Sequence, residues 1–283
     1  MTATVFFAVL IAACLHAVWN ALVKSGSDKK TTMLAVGIGH VPIALFTLPF
    51  APSLAIEATP WSIASVALHF GYQVFLIEGY RVGDLTVVYP IARGSAPILV
   101  TAISILVLGI TFTAAELAGV CLIAVGLLSL ALGSGKRPNE NSRAVAMALA
   151  TGGFIAAYSL VDGIGATRSG SALGYWGWSA VGNALALLGW MIVKSPNTVS
   201  AITENRAVVW LGLLGGTASY VAYGLVIWAF TQAPIALVMA LRETSIIFAL
   251  LIGAYVLKER VNLTKVLSVF VAIVGAVLLR LAK

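Results

Sequence analysis

Ten long runs of apolar residues, separated by short polar or Pro/Gly-containing breaks, occupy most of the chain. They cover residues 4–23, 32–50, 61–80, 84–108, 114–133, 143–162, 172–193, 207–230, 233–257 and 263–282. A helix needs about 20 mostly apolar residues to cross a bilayer, so each run predicts one membrane-spanning α-helix. No segment alternates apolar and polar residues over the roughly ten positions of a membrane strand. Helices joined by tight turns also keep every backbone group bonded in lipid. The expected fold class is therefore all-α integral membrane, with ten transmembrane helices. The longest break, GSGKRPNENSR from Gly133 to Arg143, is linker-like and falls at the middle of the chain.

A break at the midpoint suggests a duplication. At an offset of 149 residues, 79–133 lies on 228–282 without a gap, and Arg93 meets Arg242. Apolar matches are cheap in such a sequence, but Arg within a span is rare. Each half holds five helices, and an odd number makes the second half enter the membrane in the opposite sense. The expectation is two inverted five-helix repeats, residues 1–135 and 142–283, with a binding site at their interface near the midplane.

Composition narrows the class. Apolar residues make up 60% of the chain and charged ones 10%, against about 25% charged in a soluble domain. A soluble enzyme, a nucleic-acid-binding module and a disordered chain are excluded. The net charge of +7 comes from 17 Lys+Arg and 10 Asp+Glu scattered between apolar runs. Without a dense basic patch, no nucleic-acid partner is expected. Twelve basic residues fall in the links after spans one, three, five, seven and nine: Lys24, Lys29, Lys30, Arg81, Lys136, Arg137, Arg143, Lys194, Arg206, Lys258, Arg260 and Lys265. The other side holds Arg168, Arg280 and Lys283. Positive charge marks cytoplasmic loops, so both termini are expected outside the cytoplasm. Cys14 and Cys121 lie in apolar runs without CxxC spacing and are expected to be small buried hydrophobes. The first run lacks a preceding Lys or Arg and reads as a retained span, not a signal peptide.

The few polar residues deep in the spans are the candidate site. Arg93 and Arg242 lie about a third of the way into spans four and nine, with Glu243 beside Arg242. An ion at mid-bilayer costs at least ~2.5–3.5 kcal/mol, so these groups need partners or a wet cavity. Neighbours on a helix do not face each other, which makes Arg93 a candidate partner for Glu243. A guanidinium there suits a substrate carboxylate or other oxyanion. The plainer alternative is that Arg and Glu merely neutralise each other and lock two helices. Pro90 and Pro97 flank Arg93 and are candidate hinges, since each removes a helix hydrogen bond.

His16, Asn20 and Lys24 form a polar stripe on span one, and Ser65, His69 and Gln73 another on span three. Either His is a candidate proton carrier, its unperturbed pKa being near 6.5, or a satisfied interhelical bond. His40 has no polar companion at helical spacing and reads as structural. Tyr89 and the aromatics Tyr158, Tyr175, Trp176, Trp178, Tyr220 and Tyr223, with Ser219, are candidates to line a pocket. Trp61, Trp190, Trp210 and Trp228 read as interface anchors. Glu78 and Asp162 are expected near span ends, where solvation is cheap. The substrate-binding candidates are thus Arg93, Arg242, Glu243, His16, Asn20, His69, Gln73, Tyr89, Tyr158 and Tyr223.

The ten-helix, five-plus-five plan resembles EamA-type members of the drug/metabolite transporter superfamily. So do Trp19-Asn20-Ala21-Leu22-Val23-Lys24, Gly83-Asp84-Leu85-Thr86-Val87-Val88-Tyr89-Pro90, and Leu257-Lys258-Glu259-Arg260 with Val261-Asn262-Leu263 before a glycine-bearing last helix. The acidic–basic turn has no counterpart after span four, where Gly109-Ile110-Thr111 carries no charge. The resemblance implies a ten-helix metabolite or amino-acid exporter of the bacterial inner membrane, with two EamA-like repeats. It also implies both termini inside, opposite to the charge count.

A secondary transporter of small carboxylate-bearing metabolites, such as amino acids, is the expected function, with no metal or cofactor. A monomer would suffice, a dimer is possible, and the partners are a small-molecule substrate and membrane lipid. Phosphonate- or phosphate-bearing anions are the alternative cargo. An intramembrane enzyme is disfavoured by the absence of HExxH and GxSxG motifs. A lipid flippase would need a lateral groove that sequence does not reveal.

Overall fold

The computed structural model describes residues 1–26, 28–132, 142–258 and 261–282. Among them the regular structure is helical and no strand occurs. The helices are α1 (Ala3–Ser25), α2 (Lys29–Ile38), α3 (His40–Thr47), α4 (Thr59–Val82), α5 (Leu85–Leu106), α6 (Ala114–Leu132) and α7 (Ser142–Arg168). They continue as α8 (Ala172–Lys194), α9 (Pro196–Glu204), α10 (Arg206–Phe230), α11 (Ile235–Arg242), α12 (Ser245–Tyr255) and α13 (Leu263–Leu281). Ten spans are long and apolar enough to cross a membrane, with α2–α3 and α11–α12 each forming one interrupted span. The short α9 lies between α8 and α10. Ten crossings bring both chain ends to the same face, the terminal face. The C-terminal ends of α1, α4, α6, α8 and α12 reach the opposite face.

Local chemistry explains several boundaries. The side chains of Thr2, Ser171, Asn205 and Asn262 each accept a backbone N–H of the following turn, at 3.3, 3.1, 3.0 and 2.9 Å. Asn262 is thus the N-cap of α13.

Packing follows a paired pattern. α1 lies against α10 and α12, and α7 lies against α4 and α5. α6 packs on α13, α5 on α11, α3 on α8, α2 on α10 and α4 on α8. Where backbones come closest, glycine is required. A Cβ on Gly39, between α2 and α3, would sit 2.1 Å from the Gly212 carbonyl oxygen of α10. One on Gly275 of α13 would sit 2.7 Å from the Gly119 oxygen of α6. Without water to drive helices together, such close van der Waals approach is what holds them in lipid. α11 is the centre of the molecule, with all eight of its residues buried. Large apolar side chains such as Phe7, Ile63, Leu185 and Phe270 are exposed on the outside, as lipid-facing surfaces require.

Three expectations change. Span six runs on to Arg168, so Asp162 lies within a helix and is fully buried rather than at a solvated end. Cys121 is exposed, among apolar neighbours on the outside of α6, and Cys14 is half-buried. Trp178 is 51% exposed and turns away from the interior. The central linker from Gly133 to Asn141, where the first repeat was expected to end, and Glu259-Arg260 of the acidic–basic turn lie outside the described residues.

A polar cavity walled by aromatic rings

The site begins at the interruption of span nine. Between α11 and α12 the bonding tightens to i→i−3: Glu243 N–H donates to the Ala240 carbonyl and Thr244 N–H to the Leu241 carbonyl, both at 3.0 Å. A tight turn inside a helix often marks a functional position. Here it turns two adjacent charges toward different neighbours. Glu243 Oε2 accepts from Arg93 Nε of α5 at 2.8 Å, with side-chain exposures of 1% and 4%. Arg242 instead reaches a central cavity, its guanidinium carbon 5.1 Å from the centre of the Tyr223 ring. Breaking such a buried pair would strand a charge in low dielectric. The pair leaves Arg93 Nη2 and Glu243 Oε1 without hydrogen-bond partners, and Arg242 Nη1 is also unpartnered.

The cavity has about 730 Å³ of empty space, its open mouth included. α1 supplies His16 and Trp19, span two Met33 and His40, α4 His69, Tyr72 and Gln73, α7 Tyr158, α8 Trp176 and Asn183, and α10 Ser219 and Tyr223. The wall is largely aromatic: Trp176 meets Tyr223 edge-on at 4.8 Å, and His69 stacks on Tyr158 at 4.0 Å. Its wall also carries buried polar atoms with no protein partner: His16 Nε2, both ring nitrogens of His40, Gln73 Oε1, Asn183 Oδ1 and Arg242 Nη1. Buried polar groups are normally bonded. Their concentration on one cavity surface is what a polar occupant would satisfy. His16 Nδ1 accepts from Trp19 Nε1 at 3.3 Å, and indole only donates. The proton of the neutral His16 ring therefore sits on Nε2, which has no protein partner.

Liners in the half nearer the opposite face, Trp19, Met33, Tyr72 and Gln73, are partly exposed. Toward the terminal face the lining is buried and bonded shut. Asp162 of α7 is the centre of that closure. Its Oδ2 accepts from Tyr223 Oη at 2.6 Å and His69 Nε2 at 3.0 Å, and its Oδ1 from Tyr175 Oη at 3.1 Å. Ser62 and Ser179 bond at 2.9 Å, Thr47 and Tyr220 at 2.8 Å, and Arg168 lies over Trp61 at 4.8 Å.

Of the residues expected to bind, His16, His69, Gln73, Tyr158, Tyr223 and Arg242 line the cavity. Arg93 and Glu243 form the ion pair behind Arg242, and Tyr89 lies 5.9 Å from the Arg93 guanidinium. Asn20 does not line the cavity; its amide donates to the His16 carbonyl at 2.7 Å. Pro90 and Pro97 lie inside α5, which continues through both as one helix. Three polar participants besides Tyr72 escaped the sequence reading. His40 lines the cavity edge-on to Trp176, and no polar companion marked it. Asn183 shares a helical face with Trp176 and Ser179, a spacing legible in the sequence. Asp162 was hidden by a span boundary drawn at the charge itself.

Comparison with known proteins gives a family model and solved structures that match. The sequence model of the EamA-like transporter family matches residues 142–281. A solved crystal structure of a protein resembles the whole chain with a TM-score of 0.73 at 18% identity, covering 97% of this chain and 94% of that one. At that identity the likeness shows the fold alone. No protein of curated function matches.

Proposed function

The chain belongs to the EamA-like transporter family and is a multi-pass membrane transporter of the drug/metabolite transporter superfamily, and from that premise we propose that it exports small carboxylate-bearing metabolites, amino acids among them. The observation that carries the proposal is Arg242: a buried guanidinium on the cavity wall, with Nη1 unpartnered and no carboxylate bridged to it among the described residues. A carboxylate would complete it with charge-assisted bonds. The unpartnered oxygens of Gln73 and Asn183 would accept from an ammonium, and the Tyr158, Trp176 and Tyr223 rings would hold an apolar side chain.

Alternating access of two inverted repeats, residues 1–135 and 142–283, is the mechanism that fits. The reciprocal packing of α1 on α10 and α7 on α4, and the meeting of Arg93 with the α11–α12 turn, support it. On the charge count, the cavity mouth near Trp19 and Met33 faces the cytoplasm of a bacterial inner membrane, the loading side for export. One chain encloses the cavity, so a monomer suffices. Phosphonate or phosphate cargo is the second reading, favoured by the free nitrogens on both Arg93 and Arg242.

The test is a proteoliposome screen of amino acids and phosphonates, with and without a pH gradient. Saturable amino-acid uptake that Arg242→Ala removes is expected. Phosphonate uptake alone would favour the second reading, and full activity in Arg242→Ala would sink the anion site. Cysteine labelling at position 140 reads the orientation: reaction only from the cytoplasmic side is expected.

A further inference from the structure

Asp162 stands apart from the cation site yet is tied to it through a single ring. It is fully buried, and its bonds join four helices: α7, its own, and α4, α8 and α10 through His69, Tyr175 and Tyr223. Room for Tyr175 is made by Gly165, one turn further along α7, where a Cβ would meet that ring at 2.5 Å. A carboxylate used only as a helix lock needs acceptor oxygens and nothing more. This one bonds a titratable ring that reaches the cavity, since His69 lines it with a side chain 11% exposed. Tyr223, the other bridge, carries Arg242 on its ring.

We propose that the Asp162–His69 pair is the proton-binding site of this carrier, and that it takes up one proton with each net-anionic carboxylate bound at Arg242. The inference rests on Arg242 as the carboxylate site. The charges facing the pair fix the sense of coupling. α4 contributes His69 itself, α8 Tyr175, α10 Tyr223, and α11 Arg242 beyond the Tyr223 ring. α7 adds Tyr158, stacked on His69, and Arg168, turned to Trp61, while α3 brings His40 to the same cavity wall. α5 contributes Arg93, turned to Glu243, and the short turn before α4 carries Glu57, which is exposed. Without a proton the pair bears one negative charge, compensated by Arg242. A net-anionic substrate with its carboxylate on Arg242 removes that compensation, and a proton from cavity water, bound at the imidazole, restores it; a zwitterionic amino acid brings its own ammonium and calls for no proton. Proton and carboxylate therefore strengthen each other's binding, reciprocally as linkage requires. Released together, they move in the same direction. Because the bonds of Asp162 close the cavity toward the terminal face, changing the charge of the pair also acts on that closure.

The test uses the full chain in liposomes loaded with the pH indicator pyranine, read against protein-free liposomes, and a mixture of labelled hydroxycarboxylates without an amino group as probe. An inward gradient of the mixture is expected to acidify the lumen, and Asp162→Asn to abolish the signal. Uptake without acidification in the parent protein overturns the proton site and leaves the carrier reading standing. Acidification that survives Asp162→Asn also overturns it. Absence of uptake in the parent overturns the carboxylate reading of Arg242 instead. The proton site is then read directly, from infrared difference spectra of the purified protein between about pH 8 and about pH 5. Imidazole and carboxylate bands lost in Asp162→Asn support the site, and a spectrum the substitution leaves unchanged overturns it. Should Asp162→Asn fail to fold, His69→Gln is read the same way. Tyr175→Phe, which removes one donor and keeps the carboxylate, is expected to retain the bands.

Discussion

The two spans that meet at the buried ion pair behave oppositely. α5 contains Pro90 and Pro97 and runs unbroken from Leu85 to Leu106. Its partner span contains no proline between Ile235 and Tyr255, yet is interrupted after Arg242. Proline removes one N–H and crowds the preceding turn, but neighbouring helices tolerate this in membrane proteins. In α5, Thr101 Oγ1 donates back to the Pro97 carbonyl at 2.8 Å. What interrupts the other span coincides with a pair of adjacent charges that need different surroundings, one a carboxylate facing Arg93 and one a guanidinium facing the cavity. A regular helix would turn successive residues about 100° apart; the tightened turn widens that separation.

The comparison breaks first at Glu243. Glu243→Gln would leave Arg93 buried and uncompensated, and stranding one member of such a pair costs about 3–5 kcal/mol. Thermal unfolding in detergent should therefore show a larger loss of stability than Arg242→Ala, Thr244→Ala or Asn20→Ala produces. If Glu243→Gln melts like the parent protein, the ion pair is not what holds α5 to the interrupted span. Arg242→Ala probes the other half of the dipeptide. It breaks no direct carboxylate contact and leaves Asp162 its three hydrogen bonds, so the fold should survive, while one lost charge-assisted bond of about 1.5–3 kcal/mol weakens carboxylate binding roughly 10- to 150-fold. Competition assays in proteoliposomes read that loss. Comparable melting shifts in the two variants would erase the distinction between structural and binding charge.

A smaller effect locates the pivot. Thr244 Oγ1 donates to the Leu241 carbonyl at 2.7 Å and steadies the tight turn. Thr244→Ala removes one hydrogen bond of about 1 kcal/mol, about fivefold if the turn moves in the transport cycle. Pro97→Ala should change the transport rate less than that. The opposite ranking would move the pivot into α5, where the prolines placed it in the sequence.

This contrast also explains what the sequence disclosed. Ten apolar runs are enough to place ten spans, because the bilayer imposes length and leaves few alternatives. Arg93 and Glu243 could be paired in advance since two ions at mid-membrane have few ways to be tolerated. The Asp162 network was illegible for the same physical reason turned around. A charge was read as the end of a span, whereas His69, Tyr175 and Tyr223 converge on it from helices distant in sequence. The α11–α12 interruption carried no proline or glycine signal, because the charges' surroundings in three dimensions accompany it.

The smallest effect is expected on α1, the helix packed against both α11 and α12. Its stripe of His16, Asn20 and Lys24 reads as one functional face, but only His16 enters the cavity. Asn20 bonds to the His16 carbonyl of its own helix at 2.7 Å. Such a local bond competes weakly with water and is worth about 0.5–1.5 kcal/mol at most, none of it directed at a substrate. Asn20→Ala should leave uptake within about twofold of the parent, while His16→Ala removes a cavity donor and lowers affinity further. Equal losses in the two variants would mean that the cavity extends along α1 beyond Trp19, and that the polar stripe, rather than the interrupted span, sets where the substrate is held.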